Sequence, residues 1–199
     1  MTGNEMLTAL QFRLEDDTSN NNFSSAQKLV AINTATITVV NMVRTDYLSD
    51  LIVHTDSGTL GTEAVTGYKT MDLASFSLIR GMNGILKVYD DTNNVWATLL
   101  PPKEFQFDTA SSKYGTMATV LDNKLFVVPS SCTNVDIWHL KEPSAIAASG
   151  DEITEFDPVL QEIILDFAES ELWRSDNRVE RANAPYTNAV NKINQINQS

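Results

Sequence analysis

The 199-residue chain has few of the residues that usually carry catalysis or cross-link a small fold. Its single cysteine, Cys132, cannot form an intrachain disulfide, and the common structural zinc sites need several cysteines. Cys132 is therefore predicted to be a small buried residue. The two histidines, His54 in a predicted loop and His139 in a predicted strand, lack the sequence motif of a catalytic triad or a Cys-His pair. We expect no enzymatic activity, no cofactor and no metal site.

Basic residues are also scarce, with 14 Lys and Arg against 26 Asp and Glu, and the formal net charge is -12. A general nucleic-acid-binding protein carries a basic face that neutralises phosphates, so this class is disfavoured. The many carboxylates leave one enzymatic alternative open, a hydrolase that uses a carboxylate pair. An acidic surface supplies such pairs by chance, and no pair stands out in the sequence.

Long apolar segments are absent as well, because no run approaches the ~18 residues of a transmembrane helix. The segment from Met1 to Glu5 has no basic region of the kind that begins a signal peptide. We therefore expect a protein that is made and kept in a cytosol-like compartment, with no membrane partner. Hydrophobic residues make up 42% of the chain, which is typical of a globular domain of this length.

The clearest predicted element is a helix from Phe156 to Arg174. Asp157 is a good N-cap acceptor, and Pro158 fits the first helical position, where no backbone donor is needed. Apolar residues then recur at three- and four-residue steps, namely Leu160, Ile163, Ile164, Phe167, Ala168 and Leu172. The opposite face is left largely to Gln161, Glu162, Asp166, Glu169 and Glu171. The pattern predicts an amphipathic helix that packs against helices from the other end of the chain.

A first helix is predicted near the N-terminus, with Thr2 or Asn4 as its cap. Its apolar stripe consists of Met6, Leu7, Leu10 and Leu14. The polar run from Asp16 to Asn22 is predicted to end this helix in a loop, because short polar side chains compete for backbone hydrogen bonds and favour turns.

A second helix is predicted to begin at Ser24, which has the capping-box spacing with Gln27. The apolar spacing that follows continues as far as Tyr47. The segment from Thr34 to Val43 is rich in β-branched residues, so a strand is the alternative. The length of the pattern exceeds that of ordinary strands and favours a helix.

The middle of the chain predicts short antiparallel strands. The segment from His54 to Tyr68 is interpreted as turns, because it contains several glycine, serine and threonine residues. Two hairpins are predicted, one from Ile85 to Leu100 and one from Thr116 to Pro129. A last alternating strand runs from Val135 to Leu140.

The two predicted hairpins turn at Asp90–Asn94 and at Asp122–Lys124. The first of these segments superficially resembles a calcium-binding loop because it is rich in Asp and Asn. It lacks the central glycine and the distal glutamate of that loop, so a hairpin turn is preferred.

The C-terminal segment is predicted to form a further helix after a break at Pro185. Its narrow apolar stripe consists of Tyr186, Val190, Ile193 and Ile196. This segment either closes the helical layer or reaches into a groove on another protein. The basic residues Arg174, Arg178 and Arg181 would share one face if the preceding helix continued past Trp173. They either pair with neighbouring acids such as Glu171 or contact an acidic partner.

These elements predict an α+β fold in which N- and C-terminal helices pack as one helical layer around an inserted antiparallel β sandwich or barrel. The helical core would comprise residues 1–53 and 144–199, and the inserted β region residues 54–143. We expect the two parts to form one structural unit overall.

This order of elements resembles that of the head–tail adaptor, or connector, proteins of tailed bacteriophages. The matching parts, in chain order, are the helix with Leu7, Leu10 and Leu14, the helix with Ala31–Ala35, the strands Leu125–Pro129 and Val135–Pro143, the Phe156–Pro158 helix start, the segment Ala168–Leu172, and the last helix with Tyr186. The resemblance covers most of the chain, although its motifs are patterns of residue class.

The resemblance implies a virion structural protein that is assembled in the host bacterial cytoplasm and works at the head–tail interface. It implies a homo-oligomeric ring, commonly twelve-fold, which binds the portal protein on one side and a tail, nozzle or tail-tube protein on the other. Genomic DNA would pass through the ring with only transient contact. The resemblance implies that the portal binds to these residues: Arg174, Arg178, Arg181, Tyr186, Val190, Ile193 and Ile196. Neighbouring subunits of the ring are expected to contact each other through Val30, Ile37 and Val40.

A second class of function remains open beside the adaptor. A tail-associated, receptor-binding or carbohydrate-binding module would use exposed aromatic side chains such as Trp96 or Tyr114. Such a module predicts stabilisation by its ligand, whereas the carboxylate hydrolase predicts turnover that a single Asp or Glu substitution abolishes.

Overall fold

The computed structural model describes residues 1–15, 22–62, 67–105, 115–147, 151 and 155–199. These residues form a mixed α+β fold with four α-helices and two β-sheets. The chain divides into two compact units, which are described separately. Unit 1 comprises Met1–Asp50 and Pro143–Ser199, and unit 2 comprises Leu51–Glu142. The predicted loop at Asp16–Asn22 lies, except for Asn22, outside the described residues.

Unit 1 begins with α1 (Gly3–Arg13) and α2 (Ser25–Met42). Thr2 caps α1, because its hydroxyl accepts a hydrogen bond from the Glu5 backbone while the Glu5 carboxylate accepts one from the Thr2 backbone. Ser24 and Gln27 form the predicted capping box at the start of α2. Both predicted helix starts are confirmed.

The helix α2 ends at Met42, five residues before the predicted end at Tyr47. Val43 is extended, and Thr45–Tyr47 forms a short 3₁₀ turn instead. The Asn197 side chain holds this end in place, since it accepts a hydrogen bond from Arg44 N and donates one to Met42 O. This tertiary cap, from a residue far along the chain, explains why the local apolar spacing misplaced the helix end.

The rest of unit 1 consists of α3 (Pro158–Ser175) and α4 (Val179–Gln198). Asp157 accepts a hydrogen bond from Leu160 N at 2.9 Å, which confirms the predicted N-cap. The helix α3 contacts α1, α2 and α4, so helices from both ends of the chain pack together around it. As a result Gln161 and Asp166, predicted on a polar outer face, are buried. The prediction of a one-sided amphipathic helix was wrong because α3 has neighbours on most of its circumference.

The predicted break at Pro185 is also wrong, because α4 runs through it. Pro185 lies on the buried side of α4 together with Ala182, Ala189 and Ile193. A proline inside a helix costs about 3 kcal/mol. Packing of this side within unit 1 offsets the cost, which sequence propensity alone does not reveal. No helix among the described residues has the length and apolar character needed to cross a membrane.

The first sheet of unit 2 is antiparallel and has four strands in the order β1–β9–β4–β5. These strands are β1 (Ile52–Thr59), β9 (Asn134–Leu140), β4 (Ile85–Asp90) and β5 (Val95–Trp96). The predicted hairpin of β4 and β5 is confirmed, with Tyr89 opposite Trp96. Asp90 anchors its turn by accepting hydrogen bonds from Asn93 N and from Thr116 Oγ1.

The second sheet has five strands in the order β2–β3–β8–β7–β6. These strands are β2 (Gly61–Thr62), β3 (Lys69–Asp72), β8 (Lys124–Val128), β7 (Met117–Leu121) and β6 (Thr98–Leu99). The β7–β8 hairpin is confirmed, and Asp122 and Asn123 have the positive φ angles of a type I′ turn. The β6–β7 pair is parallel, so the predicted purely antiparallel arrangement is wrong at this edge.

The predicted barrel is wrong because the strands form two open sheets. The chain leaves the first sheet after Trp96 and joins the second at Thr98, so the second predicted strand of the first hairpin is shared between sheets. One hydrophobic cluster contains residues from both sheets, including Val88, Leu125, Val127, Val135 and Ile137.

The structure also locates the cysteine and the two histidines of unit 2. Cys132 is buried, as predicted. His139 lies in β9, as predicted, where it is buried with its ring 4.9 Å from that of Phe76. His54 lies in β1, so its prediction as a loop residue was wrong. The glycine and serine of β1 suggested turns, but pairing with β9 draws this segment into the sheet.

Candidate partner-binding surfaces

The three arginines predicted for docking do not share a helical face. Arg174 lies on α3, which ends at Ser175, and Asn177 then adopts a left-handed conformation with φ 58°. Arg178 is the N-cap of α4 and Arg181 lies in its first turn. The condition for one continuous basic face is therefore not met, because α3 ends at Ser175.

Each of these arginines nevertheless contacts one of two aromatic rings. The guanidinium groups of Arg178 and Arg181 lie 5.3 and 4.9 Å from the ring centroid of Trp173. The guanidinium group of Arg174 lies 4.5 Å from the ring centroid of Tyr186. Cation–π contacts at exposed sites contribute about 0.5–1 kcal/mol each. We call these five residues the arginine–aromatic cluster.

Acidic neighbours only partly neutralise this cluster. Arg178 Nε lies 2.7 Å from Asp176 Oδ2, and Arg181 Nη1 lies 3.7 Å from Glu15 Oε2. All four side chains are exposed, and exposed ion pairs of this kind contribute little. The cluster can therefore exchange these contacts for those of an acidic partner at small cost.

The four residues of the predicted C-terminal docking stripe differ in their exposure to solvent. Tyr186 is exposed and packs edge-on against Phe167, with ring centroids 5.7 Å apart. Val190 and Ile196 are partly buried. Ile193 is fully buried within the chain, so its side chain offers no surface to a portal in this conformation.

The predicted subunit interface on α2 is split in the same way. Val30 is 63% exposed and Ile37 is 39% exposed, and their spacing of seven residues places them on one side of the helix. Val40 is fully buried, because three further residues turn it towards the interior of unit 1. Val40 is therefore not available to a neighbouring subunit.

Two grooves in unit 1 adjoin these residues. One has a volume of about 320 Å³ and is lined by Val30 of α2 and Leu172 of α3. The other, of about 190 Å³, is lined by Arg174 and Tyr186. Glu171 lines both grooves, and burial raises the pKa of its carboxyl group. Val30 of the predicted subunit interface and Arg174 and Tyr186 of the predicted docking site thus lie in two grooves that share Glu171.

Unit 2 carries a row of aromatic rings across its first sheet. The rings of His54 and Trp138 are stacked with centroids 4.1 Å apart, and Trp138 lies 5.3 Å from Trp96. Trp96 also lies 5.1 Å from Tyr89 and is 57% exposed. We call these four residues the aromatic row. Tyr114, the other aromatic residue predicted for ligand binding, lies outside the described residues.

Sequence reasoning did not single out a group of side chains on the same sheet that lie close enough together to hold a metal ion. His54, Asp56 and Asp136 each offer a ligand atom, and these atoms all lie within 4.8 Å of one another. The alternation of Asp136 and Trp138 in β9 was visible in the sequence. Their partners in β1 were not, because the Asp-Ser-Gly segment there indicated a turn.

Comparison with known proteins found no matching protein-family model and no matching curated protein. The resemblance to head–tail adaptors therefore stays a prediction from the sequence. The surfaces on units 1 and 2 are the remaining basis for a proposed function.

Proposed function

We propose that this chain is a non-enzymatic head–tail adaptor that assembles as a homo-oligomeric ring, commonly twelve-fold, between a portal and a tail. The observation that carries this proposal is the exposed side of α2, where Val30 and Ile37 lie on a helix whose opposite side is packed in the core. A closed ring needs such a surface, because each subunit contacts the next through two different patches.

The α2 side is well suited to burial against another subunit. Thr34 lies between Val30 and Ile37, and its hydroxyl donates to Val30 O at 3.0 Å. Thr38, about one turn further along the helix, likewise donates to Thr34 O at 3.0 Å. Because both hydroxyls already have hydrogen-bond partners within the helix, covering this side desolvates few unsatisfied polar groups. The apolar groove beside Val30 offers further surface for the contact.

Portal docking is proposed for the arginine–aromatic cluster, with Val190 and Ile196 as neighbouring apolar contacts. Arginine binds carboxylates through paired hydrogen bonds, and exposed tyrosine combines apolar area with a hydroxyl group. An acidic, partly helical surface of the portal would complement this cluster. Ile193 is buried, so it stabilises the packing of α4 within unit 1 and does not contact the portal directly.

The charge of the chain supports a role in genome passage. Each subunit carries a formal charge of -12, so a ring of many copies is strongly acidic. Carboxylates facing the channel would repel DNA phosphates and allow the genome to slide without binding. This role requires only transient proximity to DNA.

We also propose that the two sheets of unit 2 pack face to face as a β sandwich. The shared hydrophobic cluster supports this arrangement, because Val88 and Ile137 of the first sheet belong to it together with Leu125 and Val127 of the second. The helical core would act as the assembly element and the β unit as an appended module within one structural unit.

The oligomeric ring is tested by light scattering, which measures the mass of the purified full chain alone and mixed with a portal protein. Negative-stain imaging then shows whether rings are present. We expect rings for the wild type and their loss in Val30→Glu. Val159→Glu is the matched control, because Val159 is 54% exposed at the start of α3, where an added carboxylate suits the helix dipole. A wild-type chain that stays monomeric in every mixture would exclude the proposal.

Docking is tested by portal co-sedimentation with substitutions and not with a deletion, since removing α4 would also remove its buried residues Ala189 and Ile193 from the core of unit 1. Tyr186→Ala removes an exposed aromatic side chain, which is also the cation–π partner of Arg174. We expect this substitution to weaken portal binding by about tenfold while the homo-oligomeric ring still forms. Thr187→Ala changes an exposed neighbour and should bind like the wild type. Equal binding by both variants would remove Tyr186 from the docking site.

A carbohydrate-binding module is the second candidate, and the aromatic row favours it. Exposed aromatic rings such as Trp96 provide flat apolar faces beside polar groups, which is the kind of surface that recognises an amphipathic ligand. Glycan-array binding that is lost in Trp96→Ala, together with a monomeric or trimeric mass, would favour this candidate over the adaptor.

A further inference from the structure

We propose that His54, Asp56 and Asp136 bind a divalent transition-metal ion of the zinc class on the first sheet of unit 2. The three ligand atoms lie within 4.8 Å of one another, and His54 Nε2 lies 3.8 Å from Asp136 Oδ2. Two ligand atoms of one tetrahedral zinc ion are about 3.4 Å apart. The exposed His54 and Asp56 side chains need only small rotations to close the remaining distance.

The sheet holds each ligand in place by a different means. Asp136 lies in β9, between β1 and β4, and its side chain is only 16% exposed. The His54 ring is stacked on Trp138 at an interplanar angle of 15°, which restricts the direction of its nitrogen atoms. These two ligands are therefore oriented before any ion binds, and an oriented site loses less entropy on binding.

A β-bulge brings the third ligand alongside the other two. The register of β1 against β9 shifts between Thr55 and Gly58, so three residue steps in β1 match two in β9. Asp56 lies within this shifted segment, and a bulge of this kind changes the direction of side chains in the strand that carries it. Gly58 makes the close approach tolerable, because a Cβ atom there would lie 3.1 Å from Val135 O.

The ligand set determines which ion is favoured. One imidazole with two carboxylates suits zinc and neighbouring transition metals, whereas calcium and magnesium prefer oxygen ligands alone. Three protein ligands on an open face leave one or more positions for water or for a group of a partner. The acidic chain also raises the local concentration of cations. This site is independent of the proposed ring, because all its ligands belong to unit 2.

Isothermal titration of the untagged, chelator-treated full chain with ZnCl₂ tests the site. We expect one equivalent to bind, with magnesium binding much more weakly. His54→Phe keeps an aromatic ring on Trp138 but removes the ligand nitrogen, and Asp56→Asn removes a carboxylate at an exposed position. Each should weaken zinc binding by about tenfold or more. Asp91→Asn is the matched control, because Asp91 is an exposed acid in the turn of the same sheet.

A second readout separates this site from adventitious binding. Co²⁺ should give visible absorption bands of a bound imidazole–carboxylate complex, and it should quench the fluorescence of Trp138 through the stacked His54 ring. The only other histidine, His139, is buried and does not compete for an added ion. The proposal is overturned if the wild type binds no zinc at millimolar concentration. It is also overturned if His54→Phe and Asp56→Asn, folded by circular dichroism, bind zinc as tightly as Asp91→Asn.

Discussion

Lys192 Nζ donates a hydrogen bond of 2.6 Å to Asp166 Oδ2, which joins α4 to the middle of α3. The other oxygen of the same carboxylate, Asp166 Oδ1, accepts from Arg13 Nη1 of α1 at 2.5 Å. Asp166 is buried, while the two cations are partly exposed. One carboxylate thus connects three helices, two of which lie at opposite ends of the chain.

Replacing Asp166 by Asn should destabilise the protein by about 2 kcal/mol, because two charge-assisted hydrogen bonds lose their anion. Urea unfolding followed by circular dichroism measures the change. Glu162→Gln is the control, since Glu162 also contacts Arg13 but is 46% exposed, and it should cost well under 1 kcal/mol. Equal losses for the two variants would contradict the linking role of Asp166.

His139 should make the stability of the protein depend on pH. Burial lowers the pKa of the His139 imidazole, and a backbone hydrogen bond with Phe76 offsets this only in part. Because the folded-state pKa lies below the unfolded value of about 6.5, the unfolded chain takes up the proton first. The contribution of neutral His139 is complete above about pH 6.5 and is lost as the pH falls through the folded-state pKa.

Thermal unfolding between about pH 7 and pH 5 measures this dependence. His139→Gln should flatten the curve in that range. If the wild type and His139→Gln lose stability in parallel, protonation of His139 is not the cause.

Cys132 should be inert in the folded protein. Burial raises the pKa of its thiol, and a hydrogen bond and the negative charge of Asp90 raise it further. Since the thiolate is the reactive form, Ellman's reagent should titrate no thiol in the native chain and one thiol in urea. Rapid reaction of the native chain at neutral pH would show that Cys132 is accessible after all.

Two glycines should respond differently to the same substitution. A Cβ atom on Gly84 would overlap the carbonyl oxygen of Ile79, and backbone atoms cannot move aside as a flexible side chain can. Gly84→Ala should therefore destabilise by well over 1 kcal/mol. At Gly61 the nearest atom to such a Cβ is Thr70 O at 3.6 Å, an ordinary contact, so Gly61→Ala should be nearly neutral. Chemical denaturation of both variants measures the two changes in the free energy of unfolding.

Local sequence signals predicted those features that depend on a few neighbouring residues. The capping pairs Ser24–Gln27 and Asp157–Leu160 and the tight turn at Asp122–Asn123 are of this kind. Each is stabilised by hydrogen bonds or backbone angles that adjacent residues supply, so a short window of sequence contains the necessary information.

Features that depend on distant residues were not predictable in this way. Pro185 lies inside α4 because packing within unit 1 outweighs its helix-breaking tendency. Asp56 approaches Asp136 because pairing across 80 residues of sequence and a β-bulge bring their strands together. Composition near Asp56 favoured turns, and only the partner strand reveals that it belongs to a sheet.

The pairing of β1 with β9 has a consequence for the order of folding. Lys141 N donates to Leu51 O at 3.0 Å, so the two ends of unit 2 are neighbours once its first sheet forms. All of unit 2 separates α2 from α3 along the chain. Early closure of the sheet would shorten the effective loop between these helices and reduce the entropy cost of their meeting by about 1 kcal/mol. Folding of the inserted unit would then bring the sequence-distant helices α2 and α3 closer together and speed their packing within the chain.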